Sequence, residues 1–274
     1  MKTSHSSAPP RVLVFSIALN LYDTVYQANI ESHRRYAARN GYHYTLVRRP
    51  FGLTVRDSVW LKIPLLEAAL NAGWDWVLFV DADCELREIA PPVSSVDCHD
   101  ASVFLARGFS GNVNSGVIIA KNTSGGADFF ARVWQAADTQ VPEQDWGENG
   151  HVIHFAKNFR GLSILDRRWN NNSDPQLADF IRHYSAGDCM RALYAFGWSG
   201  HAARHASRVL QKLFKSIGKT HSTSLVERLG ELTLKVASLY PSSFAQPGCD
   251  ENRRYATLVN PPGASSAAQT ALLR

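Results

Sequence analysis

The sequence predicts an α/β domain built on a nucleotide-binding sheet, and three observations carry that prediction. Strand-like and helix-like patterns alternate from the start of the chain in the order strand, helix, strand, helix, strand. The third apolar run, Trp74 to Val80, delivers two carboxylates, Asp81 and Asp83, at its carboxyl end, where open α/β sheets bind ligands. The length of 274 residues with 45% hydrophobic content suits one large domain, or one domain with an appendage.

The elements follow in order. Arg11 to Ala18 reads as a first buried strand, because β-branched and aromatic residues run without interruption. A polar loop then leads into a helix from about Asp23 to Asn40, with Tyr22, Tyr26, Ile30, His33 and Ala37 on one face and Gly41 as its stop. Tyr42 to Val47 supplies the second strand. A second helix runs from Trp60 to Ala72, with Pro64 in its first turn or kinking it. Pro91-Pro92 then interrupts regular structure, and Ser102 to Ala106 and Val117 to Ala120 read as strands. An amphipathic helix from Gly126 to Ala137 turns Phe129, Phe130, Val133 and Trp134 to the core. The stretch 142–150 is polar, Leu162 to Leu165 is strand-like, and no internal repeat occurs.

From Cys189 the character changes. Residues 201–240 alternate basic and apolar positions at helical spacing and predict helices. The expected organisation is a flexible N-terminus over 1–10, a catalytic domain over 11–190, a helical appendage over 191–244 and a loose tail over 245–274. The polar start, Met1 to Pro10, lacks the apolar stretch of a secretory signal, and no run approaches a membrane span, which gives the expectation of a cytoplasmic chain. Four scattered cysteines without paired spacing fit reduced thiols. The excess of 29 Lys and Arg over 24 Asp and Glu favours anionic partners in general, and no nucleic-acid motif is present, so nucleic acid is not an expected partner.

The chemistry-bearing residues centre on Asp81-Ala82-Asp83. While the chain stays extended, residues i and i+2 point the same way, and two carboxylates there can share one divalent cation, which in turn can hold a diphosphate. Lys62, at a helix start, is a candidate diphosphate contact or an ordinary surface lysine. A basic amphipathic segment over 201–219 can lie on an anionic membrane face or pack on the domain.

Taken together, Gly41-Tyr42-His43-Tyr44, Trp60 to Leu66, Trp74 to Asp83, Asn114-Ser115-Gly116-Val117 and Arg182 to Gly187 occur in an order similar to that of a known family. It resembles the GT-A galactosyl- and xylosyltransferases that include fungal α-galactosyltransferases and plant xyloglucan xylosyltransferases. More distantly it is similar to the glycogenin-like and bacterial lipopolysaccharide galactosyltransferase family. The resemblance covers about residues 11 to 187. It implies a GT-A mixed sheet flanked by helices and a metal-dependent transfer of galactose or glucose from a UDP-sugar to a saccharide or glycolipid acceptor, with retention.

By the same resemblance Asp81, Asp83 and His183 hold Mn²⁺ or Mg²⁺, and an imidazole tilts the choice toward Mn²⁺. Ser16, Ile17 and Ala18 line the base and ribose. Asn114, Ser115 and Gly116 meet the donor sugar, and Gln144 or Asp145 lies beneath the anomeric carbon. Trp169 and Asn170 close the acceptor side. An inverting enzyme would need a base such as Asp145 or Glu148. A rival class, the sugar-phosphate nucleotidyltransferases, carries a Gly-rich basic loop after the first strand; here Ser16 to Asp23 has neither glycine nor a basic residue. A noncatalytic nucleotide-sugar-binding module is the remaining alternative.

Overall fold

A computed structural model describes residues 9–98, 100–185, 189–217 and 224–246, with side chains to 214 in the third stretch. The chain opens with β1 (Val12–Ile17), a short α1 (Tyr22–Val25), α2 (Gln27–Arg39) and β2 (His43–Val47). The single helix expected over Asp23 to Asn40 is two, because Tyr26, at φ −115° and ψ 34°, leaves the helical region between them. Asn20 and Leu21 are left-handed, with φ of 54° and 73°. The Asn20 side chain pins that turn, accepting from the Gly52 N–H and donating to the Leu53 carbonyl, both at 2.9 Å.

Next come α3 (Val55–Trp60) and α4 (Lys62–Asn71), with Pro64 in the first turn of α4, where its missing N–H leaves no helical bond unmade. The central strand β3 (Trp76–Val80) leads to the short β4 (Cys84–Leu86). After it run β5 (Val103–Arg107), β6 (Val113–Lys121) and α5 (Ser124–Gln135). The polar stretch after α5 folds into a 3-10 turn and a helix missed in the sequence, α6 (Glu148–Ala156), followed by β7 (Leu162–Leu165) and β8 (Ile181–His183). Four helices finish the described chain: α7 (Cys189–Leu193), α8 (Trp198–Ile217), α9 (Leu225–Leu239) and α10 (Pro241–Phe244).

Six strands form one mixed sheet in the order β2-β1-β3-β6-β5-β7. β1 pairs in parallel with β2 and β3, whereas β6 runs antiparallel to both β3 and β5. A separate two-stranded ribbon pairs β4 with β8 in antiparallel register, Cys84 opposite His183. That ribbon is the first determinant of the site, since it lays a late histidine against the residue that follows Asp83.

The sheet buries both faces, so its central strands carry continuous rather than alternating apolar sequence. Leu13, Phe15, Val77 and Phe79 pack on one side against α4, α5 and α6, while Val12, Val14, Trp76 and Leu78 pack on the other with Tyr36 and Ala37 of α2. α9 and α10 join the first of these cores: Leu225, Leu229, Val236 and Phe244 are buried in it, and the Phe244 ring meets Phe15 at 5.4 Å. Each such side chain contributes about 1.5–3 kcal/mol by leaving water. The segment read as an appendage therefore supplies part of the sheet's own hydrophobic core. α8 lies against α1, burying Ala203 and Ser207 and bringing Phe214 to Phe51. Among the described residues no helix is long and apolar enough to cross a membrane. Lys219, Gly187, Cys249 and nearly all of the expected tail lie outside the described residues.

Candidate functional site

The main-chain ladder carries β3 one residue past Val80, since the Asp81 N–H donates to the Gly116 carbonyl at 2.8 Å. There the chain turns, with Cys84 N–H donating to the Asp81 carbonyl at 3.0 Å. The extended geometry expected for Asp81 and Asp83 is replaced by this turn, and the two carboxylates have different neighbours. Ala82 between them is buried against Tyr26, Ile30 and Ala203, and its carbonyl accepts from Asn29 at 3.3 Å.

Asp81 meets Lys62. The Lys62 ammonium lies 3.2 Å from both Asp81 oxygens, 3.1 Å from Glu148 Oε1 and 3.4 Å from the Ser115 carbonyl, with only 3% of the residue exposed. Burial alone would discharge it, but the Asp81 and Glu148 carboxylates outweigh that cost and hold its pKa above the usual lysine value. Desolvation acts the opposite way on Asp81 and raises its pKa, against the pull of Lys62. The solvated-surface reading of Lys62 does not hold: it is a buried cation tying β3, β6 and α6 together, and it lines the floor of the same pocket as Asp81 and Asp83. A second cation lining the pocket is Arg191 of α7, 3.4 Å from Asp83 Oδ2. Nothing in the local sequence around Arg191 marked it.

Asp83 meets His183. The β4–β8 ribbon and a Tyr184 N–H bond to the Asp83 carbonyl at 2.9 Å set His183 Nε2 3.4 Å from Asp83 Oδ1. The other ring nitrogen, Nδ1, sits 2.8 Å from Asn170 Oδ1. Burial works against charge on His183, yet its neighbours, the Asp83 carboxylate among them, outweigh it and push its pKa well up. Asp83, Cys84 and His183 place one potential ligand atom each within 4.8 Å of one another. Burial pushes the Cys84 thiol up to about 11, so it stays protonated, and a thiol is a poor ligand. The usable donors are thus one carboxylate and one imidazole, with the Asp81 carboxylate two residues away. That oxygen and nitrogen set fits Mn²⁺ or Mg²⁺.

The β6 residues form the adjoining wall. The Ser115 N–H donates to Asn149 Oδ1 at 2.8 Å and its hydroxyl to Glu148 Oε1 at 3.2 Å. Gly116 is there because a side chain would not fit: a Cβ would lie 2.2 Å from His183 Cε1. Asn114 Oδ1 accepts from the Gly116 N–H and from Asn170 Nδ2, each at 2.9 Å.

Other expected residues fall elsewhere. Ser16 is fully buried and hydrogen-bonds His33 at 2.8 Å, Ala18 is buried, and of that strand only Ile17 lines the pocket. Gln144 and Asp145 sit exposed on a 3-10 turn. Gly147, with φ of 63°, reverses the chain after them, so α6 sends Glu148 and Asn149 inward instead. Trp169 and Asn170 are buried, Trp169 edge-on to Phe180, and do not face outward to an acceptor.

No family model matches the sequence, and no curated protein matches it by sequence. Comparison of structures does find relatives of the fold. A glycosyltransferase involved in glycosylation of the major capsid of PBCV-1 superposes with a TM-score of 0.55 at 12% identity, over 72% of this chain and all of that one. The glycosyltransferase GlyE of Streptococcus pneumoniae TIGR4 aligns with a TM-score of 0.47 at 13% identity, over 77% of this chain and 64% of its own. The galactosyltransferase LgtC, solved with donor and acceptor sugar analogs, gives 0.43 at 14% identity, over 72% of this chain and 95% of its own. The first of these, with the sheet order above, shows a mixed α/β fold like that of the capsid glycosyltransferase.

Proposed function

We propose that this protein is a metal-dependent glycosyltransferase that moves a sugar, galactose or glucose, from a UDP-sugar to a saccharide acceptor with retention. The observation that carries the reading is the pairing of Asp83 with His183 Nε2 beside Asp81, at the carboxyl end of the central strand. Asp81, Asp83 and His183 would hold Mn²⁺ or Mg²⁺, and when bound the cation acts as a Lewis acid on the leaving diphosphate. Arg191 adds a positive charge on the same side, placed for a diphosphate oxygen. Ile17, Asn20 and Tyr22 line the part of the pocket that would take the nucleoside. Lys62 holds Asp81 and Glu148 in place, while Glu148 and Asn149 face Ser115 where the donor sugar would lie.

The acceptor reading extends to a glycolipid. The outward face of α8 presents Arg208, Lys212, Val209 and Leu213, and Trp198 at its start is 95% exposed, which supports peripheral contact with an anionic membrane face. Co-sedimentation with anionic and with neutral vesicles tests that contact. Slow hydrolysis of UDP-sugars, screened with Mn²⁺ present, tests the enzymatic reading without needing an acceptor and names the sugar. One UDP-sugar is expected to be hydrolysed only with metal; absence of hydrolysis and of UDP binding across the panel would overturn it.

A further inference from the structure

We propose that Asn170, itself held by Asn114, is a positioning residue that fixes the tautomer and orientation of His183, so that Nε2 is presented as a metal ligand. The inference rests on the cation reading of the site. Asn170 is 1% exposed, and both ends of its amide are occupied. One end faces two acceptors, the Asn114 carbonyl at 3.3 Å and Asn114 Oδ1 at 2.9 Å. The Asn114 carbonyl can only accept, and Asn114 Oδ1 already accepts from the Gly116 N–H. That end of Asn170 is therefore its NH2.

The opposite end is then the carbonyl oxygen, and it lies 2.8 Å from His183 Nδ1. A carbonyl cannot donate, so Nδ1 carries the proton and donates it to Asn170. With Nδ1 committed to Asn170, Nε2 is the nitrogen that faces the Asp83 carboxylate oxygen at 3.4 Å, as an N–H donor in the metal-free imidazolium and as a lone-pair donor once a cation displaces that proton. A divalent cation can take the place of that proton between the imidazole nitrogen and the carboxylate oxygen. The backbone adds to the alignment: the His183 N–H donates to the Asn171 carbonyl and the Asn171 N–H to the Ile181 carbonyl, each at 2.9 Å, so the segment carrying Asn170 is registered on β8. Hydrogen bonds of this kind behind a ligating histidine orient the ring and raise its basicity.

The test is a double-mutant cycle read by Mn²⁺ affinity, from the EPR signal of free Mn²⁺, rather than by activity. Asn170→Leu keeps the shape but accepts nothing from Nδ1, and is expected to weaken Mn²⁺ binding about 10- to 100-fold. In the His183→Ala background the same change is expected to cost nothing further, because Asn170 acts only through that ring. Asn114→Ala, which frees the Asn170 amide to rotate, serves as the second variant and is expected to weaken binding in the wild-type background alone. Equal losses in both backgrounds, or no loss from either variant in the wild-type background, would overturn the proposal while leaving the metal site standing. A wild-type protein that binds no Mn²⁺ with or without UDP would overturn both.

Discussion

Replacing Gly116 with alanine should disable the site by a steric route that can be sized beforehand. The added Cβ would sit 2.2 Å from His183 Cε1, 2.8 Å from Nδ1 and 3.0 Å from Asn114 Oδ1. Carbon atoms in contact rest at about 3.5–4.0 Å, so the ring must retreat by more than about 1 Å. It has little room to do so, being tied to Asn170 on one side and paired through β8 to Cys84 on the other. Overpacking of this degree costs about 1–3 kcal/mol, which for a domain of this size lowers Tm by about 2–12 °C. The displaced imidazole should also weaken Mn²⁺ binding about tenfold or more. Differential scanning fluorimetry and Mn²⁺ titration read the two effects. Gly230 supplies the control, because a Cβ there meets nothing within 4 Å in α9, and Gly230→Ala should stabilise by up to about 1 kcal/mol. A Gly116→Ala protein with wild-type Tm and wild-type Mn²⁺ affinity would refute the packing argument and the ligand role of His183 with it.

Other outcomes follow from the same contacts. Lys62→Met leaves Asp81 and Glu148 facing each other without their cation and should cost about 3 kcal/mol or more in urea unfolding; a loss below about 1 kcal/mol would mean the cluster is effectively solvated. Arg191→Ala should weaken UDP binding about tenfold by calorimetry with Tm little changed, and unchanged affinity would remove Arg191 from the diphosphate site. Burial lowers the His33 imidazole to about 4, while the unfolded chain takes up that proton near 6.5. The folded state therefore keeps this stability above pH 6.5 and loses it as pH falls toward 4, by about 3 kcal/mol in all. His33→Gln should flatten the dependence of Tm on pH across that window, and an unaltered slope would contradict the assignment.

The sequence made the main sheet legible because its strands are buried on both faces and read as unbroken apolar runs, as in Val12 to Ile17 and Trp76 to Val80. What it hid depended on contacts distant in the chain. β4 is three residues long and exists through its pairing with β8, about a hundred residues later, so nothing in Cys84-Glu85-Leu86 announced it. α6 opens on Glu148-Asn149-Gly150, of which Asn149 and Gly150 are poor helix formers after a polar stretch, and is stabilised by burying Val152, Ile153 and Ala156. Gln144 and Asp145 were singled out by the resemblance, and without α6 the sequence could not show that Glu148 and Asn149 turn toward Ser115. Lys62 was correctly placed at a helix start, but its partners come from β3 and α6, and no local pattern reveals a buried charge. His183 stood out through the resemblance, and Asn170 was marked by it only for the acceptor side, not as the partner of His183 Nδ1.

The claim on which the account turns is that Asp83 and His183, with Asp81, hold the cation that a nucleotide-sugar needs. The most direct measurement is hydrolysis of the best UDP-sugar against Mn²⁺ concentration for the wild-type protein, Asp83→Ala and His183→Ala, alongside Mn²⁺-dependent UDP binding. The account predicts hydrolysis that vanishes on chelation, returns with Mn²⁺, and falls by orders of magnitude in Asp83→Ala, with a weaker and right-shifted Mn²⁺ dependence in His183→Ala. Metal-independent hydrolysis, or variants that titrate with Mn²⁺ as the wild type does, would contradict it.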